Sequence, residues 1–223
     1  MDALLTLLNN TQAAPILPED ILNQPYYIFK LGHPSDFSNI NPQDTQAMVT
    51  RTQELLKQHQ AAWGIGRYGE QRELYTHPQY TQTQRSVHLG LDLSAPAGTE
   101  IFAPIAGKCH SFQNNAQAGD YGPTIILEHH LNNITFFTLY GHLNHDSIQQ
   151  LKIGQAFKAG DHLGNIGAPS ENGGWPPHCH VQLIRDIGNY HGDFPGVCCI
   201  TEAAEWLHRC PDPSTLLKLF NKT

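Results

Sequence analysis

From residue 86 onward, the chain is a series of short runs of β-branched and aromatic residues separated by glycine and proline. The clearest runs span Val87–Leu93, Glu100–Ala103, Thr124–His129, Ile134–Tyr140 and Cys179–Ile184. Runs of this length and composition are typical of β-strands, and several at close spacing predict an antiparallel sheet or flattened barrel. Glycines repeated between Gly154 and Gly167 predict tight turns with close backbone contacts. The fold is therefore predicted to be mainly β.

The segments on either side of this region have a different character. Residues 1–84 are predicted to form a mixed preface, in which about Gln43 to Ala61 is an amphipathic helix without internal proline or glycine. Residues 188–223 are predicted to be an extension packed on the core, with short helices near Glu202–His208 and Ser214–Asn221. The expected organisation is thus a preface, a β domain over residues 85–187 and a C-terminal extension.

The composition of the 223 residues argues against several classes of function. A net charge of -7 with only 13 lysines and arginines disfavours nucleic acid as a partner, because phosphate binding needs clustered cations. No apolar run approaches the roughly 20 residues of a membrane span, and the patch Leu4–Leu8 lacks the basic flank of a signal peptide. Five cysteines, two of them adjacent (Cys198 and Cys199), indicate a reducing compartment. We expect a cytoplasmic protein without a nucleic-acid or membrane partner.

Histidines are frequent, with 14 in the chain, so short histidine motifs occur partly by chance. A strand over Val87–Leu93 would place His88 and Asp92 on one face, because alternate residues of a strand point the same way. The same alternation places His178 and His180 together and turns Cys179 towards the core. Two imidazoles and one carboxylate with an open fourth position suit a catalytic zinc site.

Four segments then follow one another in a recognisable order. They are the run His88–Gly107, the strand end Leu139–Leu143, the glycine-punctuated Lys152–Gly167 and the triplet His178-Cys179-His180. Their order and spacing resemble the motifs of the lysostaphin-type (LytM-like) zinc metallopeptidases over roughly residues 85–185.

This resemblance implies both a fold and a site. The fold would be a core of antiparallel sheets with a groove across one face. His88, Asp92 and His180 would bind zinc, while His142 and His178 would be the catalytic histidines that flank the zinc-activated water. A neighbouring neutral histidine can take the water proton, and a protonated one can stabilise the oxyanion; the sequence does not assign these two roles.

Two departures from the family pattern concern the substrate wall. Val181 and Gln182 stand where the family usually has an aromatic residue and an acid, and Trp175 with Pro176 and Pro177 would stiffen and narrow the groove. The zinc machinery is complete while the wall is altered, which favours a hydrolase with an unusual substrate.

The flanking segments carry a second, finer resemblance. Gly64–Tyr68, Gly192–Val197 and Cys210–Pro213 are similar to a subgroup in which the peptidase-like domain lies between a phosphotransferase and a class III aminotransferase. That context would suit the cytoplasm and a small amide or peptide.

The leading functional hypothesis is a zinc-dependent metalloendopeptidase or amidase, with peptidoglycan cross-link peptides as the family's default substrate. The alternative is a non-catalytic zinc-containing binding or regulatory module. A further possibility is that the preface covers the site, with Asn39 or Asn41 as a fourth zinc ligand. The sequence does not indicate the oligomeric state.

Overall fold

The fold is described by a computed structural model that covers residues 2–219. The strands are β1 (Tyr26–Phe29), β2 (Trp63–Gly66), β3 (Arg85–His88), β4 (Leu91–Ser94), β5 (Glu100–Phe102), β6 (Gly107–Asn115), β7 (Gly122–Leu131), β8 (Ile134–Gly141), β9 (Ala156–Phe157), β10 (His162–Asn165), β11 (Cys179–Ile184) and β12 (Val197–Cys199). The helices are α1 (Ala3–Asn10), α2 (Glu19–Leu22), α3 (Thr45–Gln58), α4 (Pro78–Thr81), α5 (Asp146–Gln149), α6 (Ala203–Arg209) and α7 (Ser214–Leu217). Among these helices, none is long and apolar enough to cross a membrane.

Eight strands form one sheet in the order β1-β2-β4-β11-β8-β7-β6-β9. All neighbours in it are antiparallel except β1 and β2, which are parallel. The central hairpin turns through Asn132 and Asn133 with φ of 48° and 63°, because asparagine tolerates the left-handed conformation that a two-residue hairpin loop requires. The prediction of a mainly β fold with an antiparallel sheet is confirmed.

The predicted strand over Val87–Leu93 is wrong as a single element. The structure divides it at Leu89 and Gly90, so that His88 ends β3 and Asp92 lies in β4. β3 pairs with β12, whereas β4 pairs with β2 and β11 in the large sheet. A side chain at Gly90 would have its Cβ 2.5 Å from the His180 ring, which explains why glycine lies at the break. Leu89, Leu91 and Leu93 are all buried in the core.

The preface contributes two strands to the large sheet. β2 pairs with β4, so that Gly66 lies opposite Asp92, and β1 extends the sheet beyond β2. The predicted helix is confirmed as α3. Asp44 is its N-cap, and the Asp44 side chain accepts a hydrogen bond from the Ala47 amide in the first turn. The side chains that α3 buries pack with β1 and the loops of the preface, in a cluster formed by Phe29, Leu31, Phe37, Met48, Leu55 and Leu74.

The C-terminal residues pack on the face of the core that carries β3. Val197 of β12 pairs with His88, and Phe194, Cys198 and Cys210 are buried there. Helix α6 agrees with the predicted helix near residues 202–208. The last predicted helix begins at Ser214 as expected but ends at Leu217, because Lys218 is left-handed with φ of 54°; residues 220 and 221 of that prediction lie outside the described residues.

Candidate metal centre

Three side chains converge where β3, β4 and β11 meet. The register of β4 and β11 places His180 directly opposite Asp92, and His88 reaches them from the end of β3. His88 Nε2 lies 2.9 Å from His180 Nδ1 and 3.2 Å from Asp92 Oδ1, and His180 Nδ1 lies 3.1 Å from the same carboxylate oxygen. All three side chains are buried. The structure thus brings together the three residues that the sequence predicted as metal ligands.

Hydrogen bonds on the far side of each imidazole set its tautomer. His88 Nδ1 donates to the Arg67 carbonyl at 3.0 Å, and His180 Nε2 donates to Gln182 Oε1 at 2.9 Å. Both acceptors require a proton on the nitrogen that faces them, so the lone pairs of His88 Nε2 and His180 Nδ1 face each other and the Asp92 carboxylate.

This donor set fits a zinc ion. Three converging lone pairs repel one another unless a cation lies among them, and two imidazoles with one carboxylate are ligands that zinc accepts. Ligand atoms about 2.0–2.1 Å from a tetrahedral ion lie about 3.3 Å from one another, close to the separations of 2.9, 3.1 and 3.2 Å found here. Only three protein ligands would be used, which leaves the fourth position open to the cavity.

Electrostatics keep His88 and Asp92 in the protonation states that bind a metal. Burial lowers the pKa of His88 to about 3, so its imidazole stays neutral. Burial alone would raise the pKa of the Asp92 carboxyl, but the charge and the hydrogen bond of the Arg72 guanidinium outweigh it and hold that pKa well below its usual range. At neutral pH, His88 is therefore neutral and Asp92 is ionised.

The two predicted catalytic histidines line the same cavity. His142 Nδ1 donates to the Asn172 carbonyl at 2.8 Å and His178 Nδ1 donates to the Pro176 carbonyl at 2.7 Å, and the two ring centroids are 4.2 Å apart. Both pKa values are lowered, mainly by burial, so both rings are neutral with Nε2 as a free acceptor.

His142 is held in an unfavourable backbone conformation. Its φ of 62° lies in the left-handed region, which costs a residue with a side chain of the order of 1–2 kcal/mol. Backbone hydrogen bonds hold it there: its amide donates to the Tyr121 carbonyl at 2.8 Å, and its carbonyl accepts from the Gly167 amide at 2.9 Å. Strain maintained in this way is common at functional positions.

Sequence reasoning missed Arg72, which the preface places against the metal trio. Its Nη1 donates to Asp92 Oδ2 at 2.6 Å and to the Tyr75 hydroxyl at 3.1 Å, and its side chain is only 3% exposed. Gly66 makes room for the pair, because a Cβ there would lie 2.8 Å from Arg72 Nη2. With Oδ2 engaged, Asp92 presents Oδ1 to the histidines. No sequence motif relates positions 72 and 92. The contact becomes visible only once the pairing of β2 with β4 is known, because that pairing brings the preface beside Asp92.

The remaining sequence hypotheses can be placed as well. Trp175 lines the cavity, with its ring centroid 6.4 Å from that of His142, as expected for a groove wall. Cys179 is buried in the core and turned away from the trio, as the alternation predicted. Asn39 and Asn41 are exposed and do not line the cavity, so the preface reaches the site through Arg72 and not through either asparagine.

The trio lies in the wall of a cavity of about 250 Å³. Preface, β domain and C-terminal extension all contribute to its lining, through side chains such as Phe37, Tyr121 and Phe194. A cavity of this size, with a few converging polar groups, is typical of a site for a small ligand.

One family model and several solved structures are similar to parts of this chain. Residues 86–191 match the model of peptidase family M23. No curated protein sequence matches the chain significantly. Among solved structures, a peptidase M23 from Pseudomonas aeruginosa is 24% identical over 60% of this chain and 44% of its own, with a TM-score of 0.40. A zinc containing peptidase from Vibrio cholerae is 30% identical over 44% of this chain and 27% of its own, with a TM-score of 0.35.

The catalytic domain of the antimicrobial peptidase lysostaphin from Staphylococcus simulans is 23% identical over 60% of this chain and 80% of its own, with a TM-score of 0.41. The chain spans less than half the length of the first two of these structures. Family M23 consists of metallopeptidases, and the matched segment contains the metal trio and both cavity histidines. Residues 86–191, a little under half of the chain, are therefore similar to peptidase family M23, which agrees with the resemblance to the lysostaphin-type peptidases.

Proposed function

We propose that this protein is a zinc-dependent hydrolase that cleaves a peptide or amide bond. The observation that carries the proposal is the convergence of three lone-pair donors, His88 Nε2, His180 Nδ1 and Asp92 Oδ1, beside two further neutral histidines in one cavity. A binding module would need the three ligands alone, so the two additional histidines favour catalysis.

When bound, zinc lowers the pKa of a water molecule and polarises a carbonyl group. The protein's own part is to accept and return a proton. His142 Nε2 and His178 Nε2 are both free acceptors in the cavity, so one can take the proton of the attacking water and pass it to the leaving amine. Once protonated, either ring can donate a hydrogen bond to the negative charge that develops on the carbonyl oxygen.

The hydrogen bonds on Nδ1 of these two rings fix their orientation for proton transfer. Backbone carbonyls of Asn172 and Pro176 hold His142 and His178 in one tautomer and orientation, which removes the cost of arranging them during the reaction. Arg72 does the same for Asp92, and Gln182 for His180. His142, His178 and the zinc ligands His88, Asp92 and His180 therefore form the proposed catalytic site.

We also propose a reducing compartment, in agreement with five cysteines that form no disulfide in the structure. The substrate would then be a peptide or small amide of the cytoplasm, and the finer resemblance to aminotransferase fusions fits such a role. Peptidoglycan cross-link peptides are the competing substrate from the wider family.

The experiment is a hydrolysis screen on purified full-length protein, with cell-wall material, short peptides and small amides, each with and without a chelator. We expect chelator-sensitive release of an amine from at least one class. His142→Ala and His178→Ala should each retain zinc and lose activity, because neither residue is a proposed ligand. Zinc retained without hydrolysis of any class would instead support the binding module.

A further inference from the structure

The lining of the cavity divides into two chemically different parts. One part is apolar and comes from the preface, with Trp175 at its border; we call this the apolar arm, formed by Phe29, Leu31, Phe37, Met48, Leu74 and Trp175. The first five of these side chains are each less than a tenth exposed, so solvent barely reaches that end of the cavity. A chain that crosses an open groove would need both ends free, whereas this end of the cavity is bounded by buried apolar side chains.

The other part of the lining carries two carboxylates, Asp120 and Asp193, which we call the acidic pair. Neither forms an ion pair within the described part of the chain, and Asp120 Oδ1 accepts only a local hydrogen bond from the Tyr121 amide at 2.8 Å. Burial raises the pKa of both carboxyls, and the charge of Asp193 adds to the rise at Asp120, while the Arg85 guanidinium in the same cavity offsets part of the rise at each. A cation in this part of the cavity would relieve that repulsion.

Both parts belong to the cavity that holds the catalytic histidines. His142 is 6% exposed and its Nε2 has no hydrogen-bond partner among the described residues, so a polar group of a bound molecule can meet it there. A molecule seated in this cavity thus meets the histidines, a buried apolar end and a negatively charged wall.

We propose that the substrate is a short peptide or amino-acid amide with one bulky apolar side chain and a free amino group. The side chain occupies the apolar arm, the ammonium group faces the acidic pair, and the amide bond lies at the histidines. This rests on the proposed hydrolase function and narrows it to small substrates with these two features.

The decisive experiment compares three dipeptides on the zinc-loaded full-length protein: phenylalanyl-alanine, glycyl-alanine and N-acetyl-phenylalanyl-alanine. The first differs from the second in the apolar side chain and from the third in the free amine. We expect kcat/KM for phenylalanyl-alanine to exceed each of the others by at least about tenfold. Glycyl-alanine lacks the apolar side chain, whose full burial is worth that factor or more, and the acetylated peptide lacks the positive charge that faces the acidic pair.

Variants then assign the preference to its residues. Asp193→Asn should reduce the ratio of kcat/KM between phenylalanyl-alanine and its acetylated form at least about fivefold, since one unit of negative charge is removed at nearly constant shape. Asp20→Asn, which removes an exposed acid outside the cavity, is the matched control and should change neither ratio. Met48→Ala should reduce the ratio of kcat/KM between phenylalanyl-alanine and glycyl-alanine. If that variant does not fold, the same ratio measured on the natural protein still tests the preference for an apolar side chain.

The outcomes separate this inference from the function on which it rests. Equal hydrolysis of all three dipeptides, or hydrolysis of cell-wall material alone, would overturn the substrate class and leave the hydrolase intact. No hydrolysis of dipeptides, amides or cell-wall material by zinc-loaded protein would overturn the hydrolase itself, and the substrate class with it.

Discussion

Each functional imidazole in this site is fixed by a hydrogen bond on the side away from the cavity. Three of the four acceptors are backbone carbonyls, of Arg67, Asn172 and Pro176, and the fourth is the Gln182 side chain. Gln182 itself is held by its own donations to the Pro195 carbonyl and the Cys210 sulfur. The sequence motif predicts which histidines matter, but their tautomers depend on carbonyls that only the folded chain brings near.

Gln182 offers a direct test of this orientation. Gln182→Leu keeps the volume and removes the acceptor, so His180 is no longer held with Nδ1 free. We expect zinc to bind about 10–100-fold more weakly, the usual cost of losing such a partner. Competition with a chromophoric chelator measures this, and Gln182→Glu, which keeps an acceptor, should bind at least as tightly as the natural protein. Unchanged affinity in the leucine variant would show that the hydrogen bond does not matter.

Arg72 illustrates what the sequence could not show. Arg72→Met leaves the buried Asp92 carboxylate without its cation, and breaking one side of a buried ion pair costs about 3–5 kcal/mol. Urea unfolding of the zinc-free protein measures the loss. The matched control is Arg51→Met, which removes an arginine from the more exposed pair with Glu54 and should cost about 1 kcal/mol or less. Equal losses in the two variants would contradict the assigned role of Arg72.

At the scale of elements, the strands of the β domain were largely predictable because each is a run of β-branched and aromatic residues. β6 escaped prediction since it is rich in polar residues such as Gln113 and Asn114, and β2 since half its residues are glycines. The break between β3 and β4 was also missed, because Gly90 is needed for the space that the His180 ring occupies and not for any local conformation. Strands β2 and β6 and the break between β3 and β4 therefore depend on tertiary contacts and not on local sequence preference.

The break can be tested by filling the space at Gly90. Gly90→Ala would place a methyl group 2.5 Å from the His180 ring, so we expect weaker zinc binding together with a loss of stability of about 1–3 kcal/mol. Gly64→Ala is the control, because its methyl group would meet the Phe29 ring, away from the trio. It should lose stability and keep its zinc affinity. Zinc binding lost equally in both variants would mean that the effect is not specific to His180.

The β7–β8 hairpin contains a buried histidine whose effect depends on pH. His129 Nδ1 donates to the Ala106 carbonyl at 2.8 Å, its Nε2 accepts from the Thr138 hydroxyl at 2.7 Å, and burial lowers its pKa to about 4. The unfolded chain takes up this proton near pH 6.5 and the folded chain only near pH 4. The stabilising contribution is therefore present above about pH 6.5 and is lost as the pH falls towards 4.

We expect this one residue to account for about 3 kcal/mol of lost stability between pH 6.5 and 4. Unfolding free energies across that range, for the natural protein and for His129→Gln, isolate its share from those of other histidines. The natural protein should show the steeper decline. Parallel curves would indicate that His129 does not titrate between the two states.

At the scale of the molecule, the preface completes the site. β2 lies beside β4 in the sheet, Arg72 contacts Asp92, and the preface forms most of the apolar arm. The sequence predicted one helix of the preface and left its strands unassigned, because their pairing connects residues far apart in the chain. The division into a preface, a β domain and an extension stays a prediction, whereas all five predicted site residues lie in one cavity.

The central claim is that His88, Asp92 and His180 hold one zinc ion, and metal analysis of purified protein tests it most directly. We predict about one zinc per chain in the natural protein and in His142→Ala, because the described residues offer one set of three ligands and His142 is not part of it. His88→Ala, Asp92→Ala and His180→Ala should each retain less than about a tenth of that amount while remaining folded by circular dichroism. A full complement of zinc in any of these three variants would contradict the account.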